Sequence, residues 1–99
     1  MPYTVVTPIS AVLASNDVSV DASDTGSYTC QHYAPWVRVV ASAPIRVHVD
    51  GWAGAAGATS LLIPPDTPTL LRHPGKGRAV SFYNEGSSAA SVNVAEIEI

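Results

Sequence analysis

Charge is the scarcest property of this chain. Asp, Glu, Lys and Arg together make up 13% of its 99 residues, against about 25% in an ordinary soluble domain. One lysine, Lys76, and four arginines leave a net charge of −3. No basic patch can neutralise a run of phosphates, so nucleic-acid binding is not expected. The single cysteine, Cys30, excludes an internal disulfide framework. Met1-Pro2-Tyr3 lacks the charged start and long apolar run of a secretory leader. No apolar stretch approaches the ~20 residues that a membrane-crossing helix needs. The expectation is a soluble, reduced protein made inside a cell, without membrane association. Scarce charge has a second implication, because a solitary soluble monomer usually relies on charge to stay in solution. The surface is then either neutral and Ser/Thr-rich or partly covered by other protein.

Helical periodicity is also missing, and a period of two replaces it. In Ile45-Arg46-Val47-His48-Val49-Asp50 apolar and polar residues alternate strictly. This places Ile45, Val47 and Val49 on one face and Arg46, His48 and Asp50 on the other. Val37, Val39 and Ala41 form the matching face before the turn Ser42-Ala43-Pro44, so 36–50 reads as a hairpin. Upstream, 1–8 is apolar with prolines near both ends, a first edge strand or an N-terminal arm lying on a neighbour. Residues 9–14 read as strand or helical turn, Ser15-Asn16-Asp17 as a turn, 18–21 as a strand, Ser23 to Gly26 as a turn and 27–32 as a strand. Downstream, the glycines at 51, 54 and 57 make a flexible or closely packed loop. Leu61-Leu62-Ile63 runs into Pro64-Pro65-Asp66-Thr67-Pro68, which is extended and cannot be a central strand. Short strands follow at 69–72 and 78–83, the latter with Val80 and Phe82 inward. In the last run, 89–99, Val92 and Val94 oppose Ile97 and Ile99 in parity, which predicts a bulge near Ala95 or a change of neighbour. Glu96 and Glu98 read as a solvated face. Strands this short with turns every 8–12 residues predict one all-β domain, an antiparallel β-sandwich or barrel of jelly-roll-like or immunoglobulin-like type.

Several motifs suggest chemistry, and their surroundings argue against it. Asp24-Thr25-Gly26 matches the active-site triplet of a dimeric aspartic protease, which needs two such aspartates sharing a proton. Here the polar Val20-Asp21-Ala22-Ser23 precedes it where an apolar strand is required, so Asp24 reads as a turn residue. Asp24 to Cys30 also resembles an immunoglobulin tyrosine corner, but no Cys or Trp lies upstream. His32, His48 and His73 are far apart, and Cys30-Gln31-His32 lacks the spacing of a structural zinc site. Gly75-Lys76-Gly77 lacks the rest of a phosphate loop. No catalytic, cofactor-binding or metal-ligating residue is expected, and no cofactor. Trp36, Trp52 or Tyr83 could stack on a sugar.

From Arg38 to Glu98 the layout resembles the small all-β virion proteins of tailed bacteriophages. The resemblance is carried by the alternating strand Ile45 to Val49, the Gly/Ala/Thr-rich loop, Leu61-Leu62-Ile63-Pro64-Pro65, Thr69 to Gly75, Arg78 to Tyr83 and Ser91 to Glu96. It implies a non-enzymatic structural protein of the virion, made in the host cytoplasm. Such a protein is a capsid cement or decoration protein, bound to the major capsid protein or another virion protein. A carbohydrate-binding or tail-associated β-module is the alternative, and a dimeric aspartic protease a more remote one. Sparse charge, the proline-flanked arm and the continuous apolar run at 61–63 further predict a homo-oligomer, a trimer. Pro2, Tyr3, Trp52, Leu61, Leu62 and Ile63 are the candidate interface residues.

Overall fold

The computed structural model describes residues 11–51 and 56–98. It is all-β. Eight strands run in order: β1 (Ala11–Val20), β2 (Thr25–Thr29), β3 (Trp36–Ala41), β4 (Ile45–Gly51), β5 (Leu61–Ile63), β6 (Thr69–Arg72), β7 (Ala79–Tyr83) and β8 (Ala90–Glu98). They form two four-stranded sheets, β1-β8-β3-β6 and β2-β7-β4-β5, with every pairing antiparallel. The pairs β4·β5, β3·β6, β2·β7 and β1·β8 are nested. The chain is thus one long hairpin wound into two sheets, the jelly-roll solution to closing an antiparallel structure. This order decides between the two expected sandwich types.

The hairpin predicted over 36–50 does not form. β3 bonds to β8 and β6, while β4 bonds to β7 and β5. The Ser42-Ala43-Pro44 corner carries the chain from one sheet to the other. Val37, Val39 and Ala41 therefore share the interior with Ile45 and Val47, each at most 3% exposed. The alternation is read correctly, because either a hairpin or a sheet-to-sheet crossing puts the same side chains inward. Val20, Tyr28, Cys30, Ile63, Val80, Phe82, Ala90, Val92 and Val94 complete the core, and Val49 and Leu71 pack against it.

Two further expectations are corrected. Ser15-Asn16-Asp17 is not a turn but the middle of β1, where pairing with Ala95, Val94 and Asn93 of β8 supplies its backbone partners. The parity change in β8 is not absorbed by a bulge near Ala95. Its register with β3 is constant from Trp36↔Ile97 to Ala41↔Val92, and the irregularity lies across the ladder in β1, between Val12 and Ala14. β8 runs straight and sends Glu96 inward on the face of Val92 and Val94.

Candidate functional site

Glu96 is fully buried, which contradicts the solvated face expected for it; Glu98 remains exposed. The regular β8 register puts its carboxylate under one end of the sandwich, where the β2–β3 and β6–β7 loops meet. Four donors converge on it. The Tyr28 hydroxyl donates to Oε2 at 2.5 Å and the Gln31 backbone N–H to the same oxygen at 2.9 Å. The His32 backbone N–H donates to Oε1 at 3.1 Å, and His73 Nε2 lies 2.7 Å from that oxygen. Burial alone pushes the Glu96 carboxyl up, but the donors from Gln31, Tyr28, His73 and His32 outweigh it and hold it below the ordinary value. A carboxylate so surrounded is an anion with its lone pairs spent. The same anion acts in reverse on its neighbours. The Cys30 thiol is pushed up to about 12, by burial first and then by the charge of Glu96. The Tyr28 hydroxyl is raised for the same reasons, strengthened by its bond to Glu96.

Cys30, His73 and Glu96 bring one ligand atom each to within 4.8 Å of one another. Sequence spacing missed this cluster because its members come from three separate segments. The chemistry of the donor set argues against a cation. The Gly75 backbone N–H donates to His73 Nδ1 at 3.0 Å, which places the ring's hydrogen on Nε2, pointed at Glu96. A metal would need that nitrogen bare, a thiolate from a thiol that holds its proton, and a carboxylate oxygen taken from two of its donors. The arrangement instead binds its own backbone: one carboxylate of β8 fastens the β2–β3 loop, the core-facing Tyr28 and the β6–β7 turn. That turn is closed by Arg78 N–H to Gly75 O, and Gly77 takes a left-handed φ of 82° that suits glycine.

The other chemical candidates lie apart from this network. Asp24 is exposed in the β1–β2 turn, where its Oδ1 accepts the Thr25 N–H at 2.8 Å. His32 is exposed in the β2–β3 loop, and His48, on the outward face of β4, has a partner of its own. A shallow cleft at the opposite end from Glu96 is lined by Ala43, Pro44, Asn84, Glu85, Ser87 and Ser88. Its one buried polar side chain, Asn84, is already used. It donates to Val20 O and Ser88 O and accepts from Gly86 N–H.

Among the expected interface residues, Leu61 is 55% and Leu62 46% exposed on β5, an edge strand. Leu70 on β6, the adjacent edge of the other sheet, is 45% exposed. The proline-rich connection at 64–68 links these two edges. Ile63 does not join them, because it pairs opposite Ile45 and is 1% exposed in the core. Pro2, Tyr3 and Trp52 lie outside the described residues. Of the aromatics considered for sugar stacking, Trp36 is 39% exposed and Tyr83 half-buried. Tyr33, which the sequence did not single out, is 80% exposed.

No protein-family model and no curated protein matches the chain. Among solved structures, it is similar to a de novo designed double-stranded β-helix determined by solution NMR. The two share 12% sequence identity with a TM-score of 0.60 over 84% of this chain and 97% of the designed one. At that identity the likeness concerns the fold alone.

Proposed function

We propose that this jelly roll is a structural protein of a phage virion, a cement or decoration protein that docks on the outer surface of the shell. The observation that carries this reading is the apolar edge of β5 and β6. Leu61, Leu62 and Leu70 are each about half exposed there on neighbouring sheet edges. Large apolar side chains gathered on unpaired edges are a liability in a free monomer and a contact in an assembly. The sparse charge of the chain points the same way. Jelly rolls serve in capsids and in lectins alike, so the fold supports the reading only by analogy, and the edge supplies the physical reason.

A cement protein works by mass action: each bound copy adds contact area across a subunit boundary and stabilises the assembled shell. The protein is proposed to act as a homo-oligomer, a trimer, with the Leu61–Leu62–Leu70 edge turned to the shell. The test is co-sedimentation of purified protein with empty capsids, with light scattering to fix the oligomer. Leu62→Asp should abolish particle binding while the circular dichroism spectrum stays that of a folded β protein. A chain that is monomeric at high concentration, fails to bind capsids and is missing from purified virions would overturn the proposal.

A further inference from the structure

Two large aromatics stand exposed at the end of the sandwich that lies over Glu96. Tyr33 is 80% and Trp36 39% exposed. They sit three residues apart, so their Cα atoms are at most about 11 Å from one another. The link between them contains Pro35, whose ring fixes φ and stiffens the step into β3. Trp36 opens β3, and the alternation that turns Val37, Val39 and Ala41 inward turns it outward. It pairs opposite Arg72 of β6, so that exposed cationic side chain lies beside the indole on the same face. Lys76 Nζ stands over the Tyr33 ring, 5.4 Å from its centroid. Tyr83, on the second sheet opposite Thr25 and Arg46, is no part of this group.

Backbone bonds hold this pair of rings in place. On one side of Tyr33, the Gln31 and His32 N–H groups are fastened to the Glu96 carboxylate at 2.9 and 3.1 Å. On the other, His73 N–H donates to Pro35 O. Cys30 N–H to Arg78 O and Gly77 N–H to Cys30 O tie down the β6–β7 turn that carries Lys76. A loop fixed this way loses little freedom when it meets a ligand. The buried Glu96 network thus does more than stabilise the fold, because it also sets the spacing of the rings.

We infer that Tyr33 and Trp36 form a stacking platform for a neutral glycan, a chain of pyranose units. A pyranose ring has a flat C–H face that packs on an aromatic ring, and a rim of hydroxyls that needs hydrogen-bond partners. Here the rings come with polar groups at their edges: Arg72 beside Trp36, Lys76 over Tyr33, and the exposed Gln31 on the same loop. The two cations donate to hydroxyl oxygens, and the Gln31 amide both donates and accepts. Charge does not select the ligand, because this end carries Arg72, Lys76 and Arg78 but also Glu96 and Glu98. An acidic sugar therefore gains no net field. A protein partner is served less well, since the anchors of protein interfaces are seated in desolvated pockets. Tyr33 instead stands clear, with the exposed Gln31 and His32 before it in the loop. The inference is independent of the virion reading, whose contact is the β5–β6 edge.

NMR titration of isotope-labelled protein with maltohexaose, chitohexaose and mannohexaose tests the platform. At least one should give saturable shifts centred on the Trp36 indole N–H and the backbone amides around Tyr33, with a Kd of about 1 mM or tighter. Tyr33→Ala and Trp36→Ala should each weaken that affinity about tenfold, whereas Tyr33→Phe, which keeps the ring, should bind within about twofold of the wild type. Trp36→Phe, with a smaller stacking face, should fall between, and thermal melts check that each variant is folded. Affinity should be the same at about 20 mM and about 500 mM salt, because no ion pair forms with the ligand. Leu62→Asp should leave sugar binding unchanged. The inference is overturned by the absence of saturable shifts with all three hexasaccharides, by shifts centred elsewhere, or by binding that survives loss of both rings. Binding confined to an acidic polysaccharide such as heparin and lost in salt also overturns it, as does capsid binding that needs Tyr33 and Trp36 while no sugar binds. Loss of capsid binding with sugar binding intact counts against the virion reading alone.

Discussion

Glu96 shows how much one residue can organise. It sits in the face of an otherwise apolar strand end, and its charge is tolerated because four hydrogen-bond donors replace the water it loses. Glu96→Gln keeps the shape but turns an amide N–H₂ toward groups that themselves donate. This should lower unfolding free energy by about 3 kcal/mol, read from the urea midpoint. The pH dependence follows from the same network. The folded carboxyl is held below its unfolded value, so its contribution is complete above about 4.3 and is lost as pH falls through the lower folded value. The wild type should therefore lose stability in acid more steeply than Glu96→Gln. On the alkaline side the sign reverses. The unfolded Cys30 thiol ionises near 8.5, whereas the folded one holds its proton to about 12. Stability should fall across that window by up to about 1.4 kcal/mol per pH unit for each such group. Cys30→Ala should flatten the decline, leaving the part due to Tyr28, and urea titrations between neutral pH and pH 11 would measure the difference. None of this was legible in the sequence. Glu96 and Glu98 share a parity that looks like a wet face, and only the register of β8 shows that one of them points inward.

Among the elements, the strands themselves were largely readable and their partners were not. Ile45 to Val49, Thr69 to Arg72 and the Val80–Phe82 alternation fall on β4, β6 and β7 as the period of two requires. β1 was misread because Ser15-Asn16-Asp17 has turn composition, and pairing along β8 overrides that local preference. The β1–β2 corner shows a constraint no local pattern reveals. Gly26 lies in β2 opposite Phe82, and a Cβ there would stand 2.9 Å from Val20 Cγ2 and 3.3 Å from Val18 Cγ1. Gly26→Ala should therefore cost about 1–2 kcal/mol through overpacking between the two sheets, seen as a lower melting temperature. An unchanged or raised melting temperature would mean that β1 shifts to make room. The motif reading valued this glycine only as the end of Asp-Thr-Gly, and the structure gives it a packing role.

For the whole molecule, the nested pairing has consequences for folding and for function. β1 pairs with β8, so residues near the two ends of the described chain must meet before the first sheet is complete. Topologies dominated by such distant pairs fold slowly, and refolding from urea should take milliseconds to seconds, followed by stopped-flow tryptophan fluorescence. With Asp24 exposed in a turn and hydrogen-bonded to its own chain, Asp24→Asn should leave capsid binding intact. Peptide cleavage that an aspartic-protease inhibitor blocks, and that disappears in Asp24→Asn, would replace the virion proposal with an enzymatic one.

The sequence by itself determined the class of structure and the inward-facing residues of most strands, because strict alternation fixes which side chains share a face whatever lies across from them. It also flagged Leu61 and Leu62, since an apolar run without alternation wants cover on both faces that a short chain does not supply. Tertiary structure decided two things that depend on partners distant in the chain: that β3 and β4 face each other across the core rather than pairing, and that Glu96 joins Tyr28, Cys30 and His73. Alternation is a property of neighbours along the backbone and survives any topology. Pairing, burial of a lone carboxylate and the sorting of loops to two ends arise only when the long hairpin winds into two sheets.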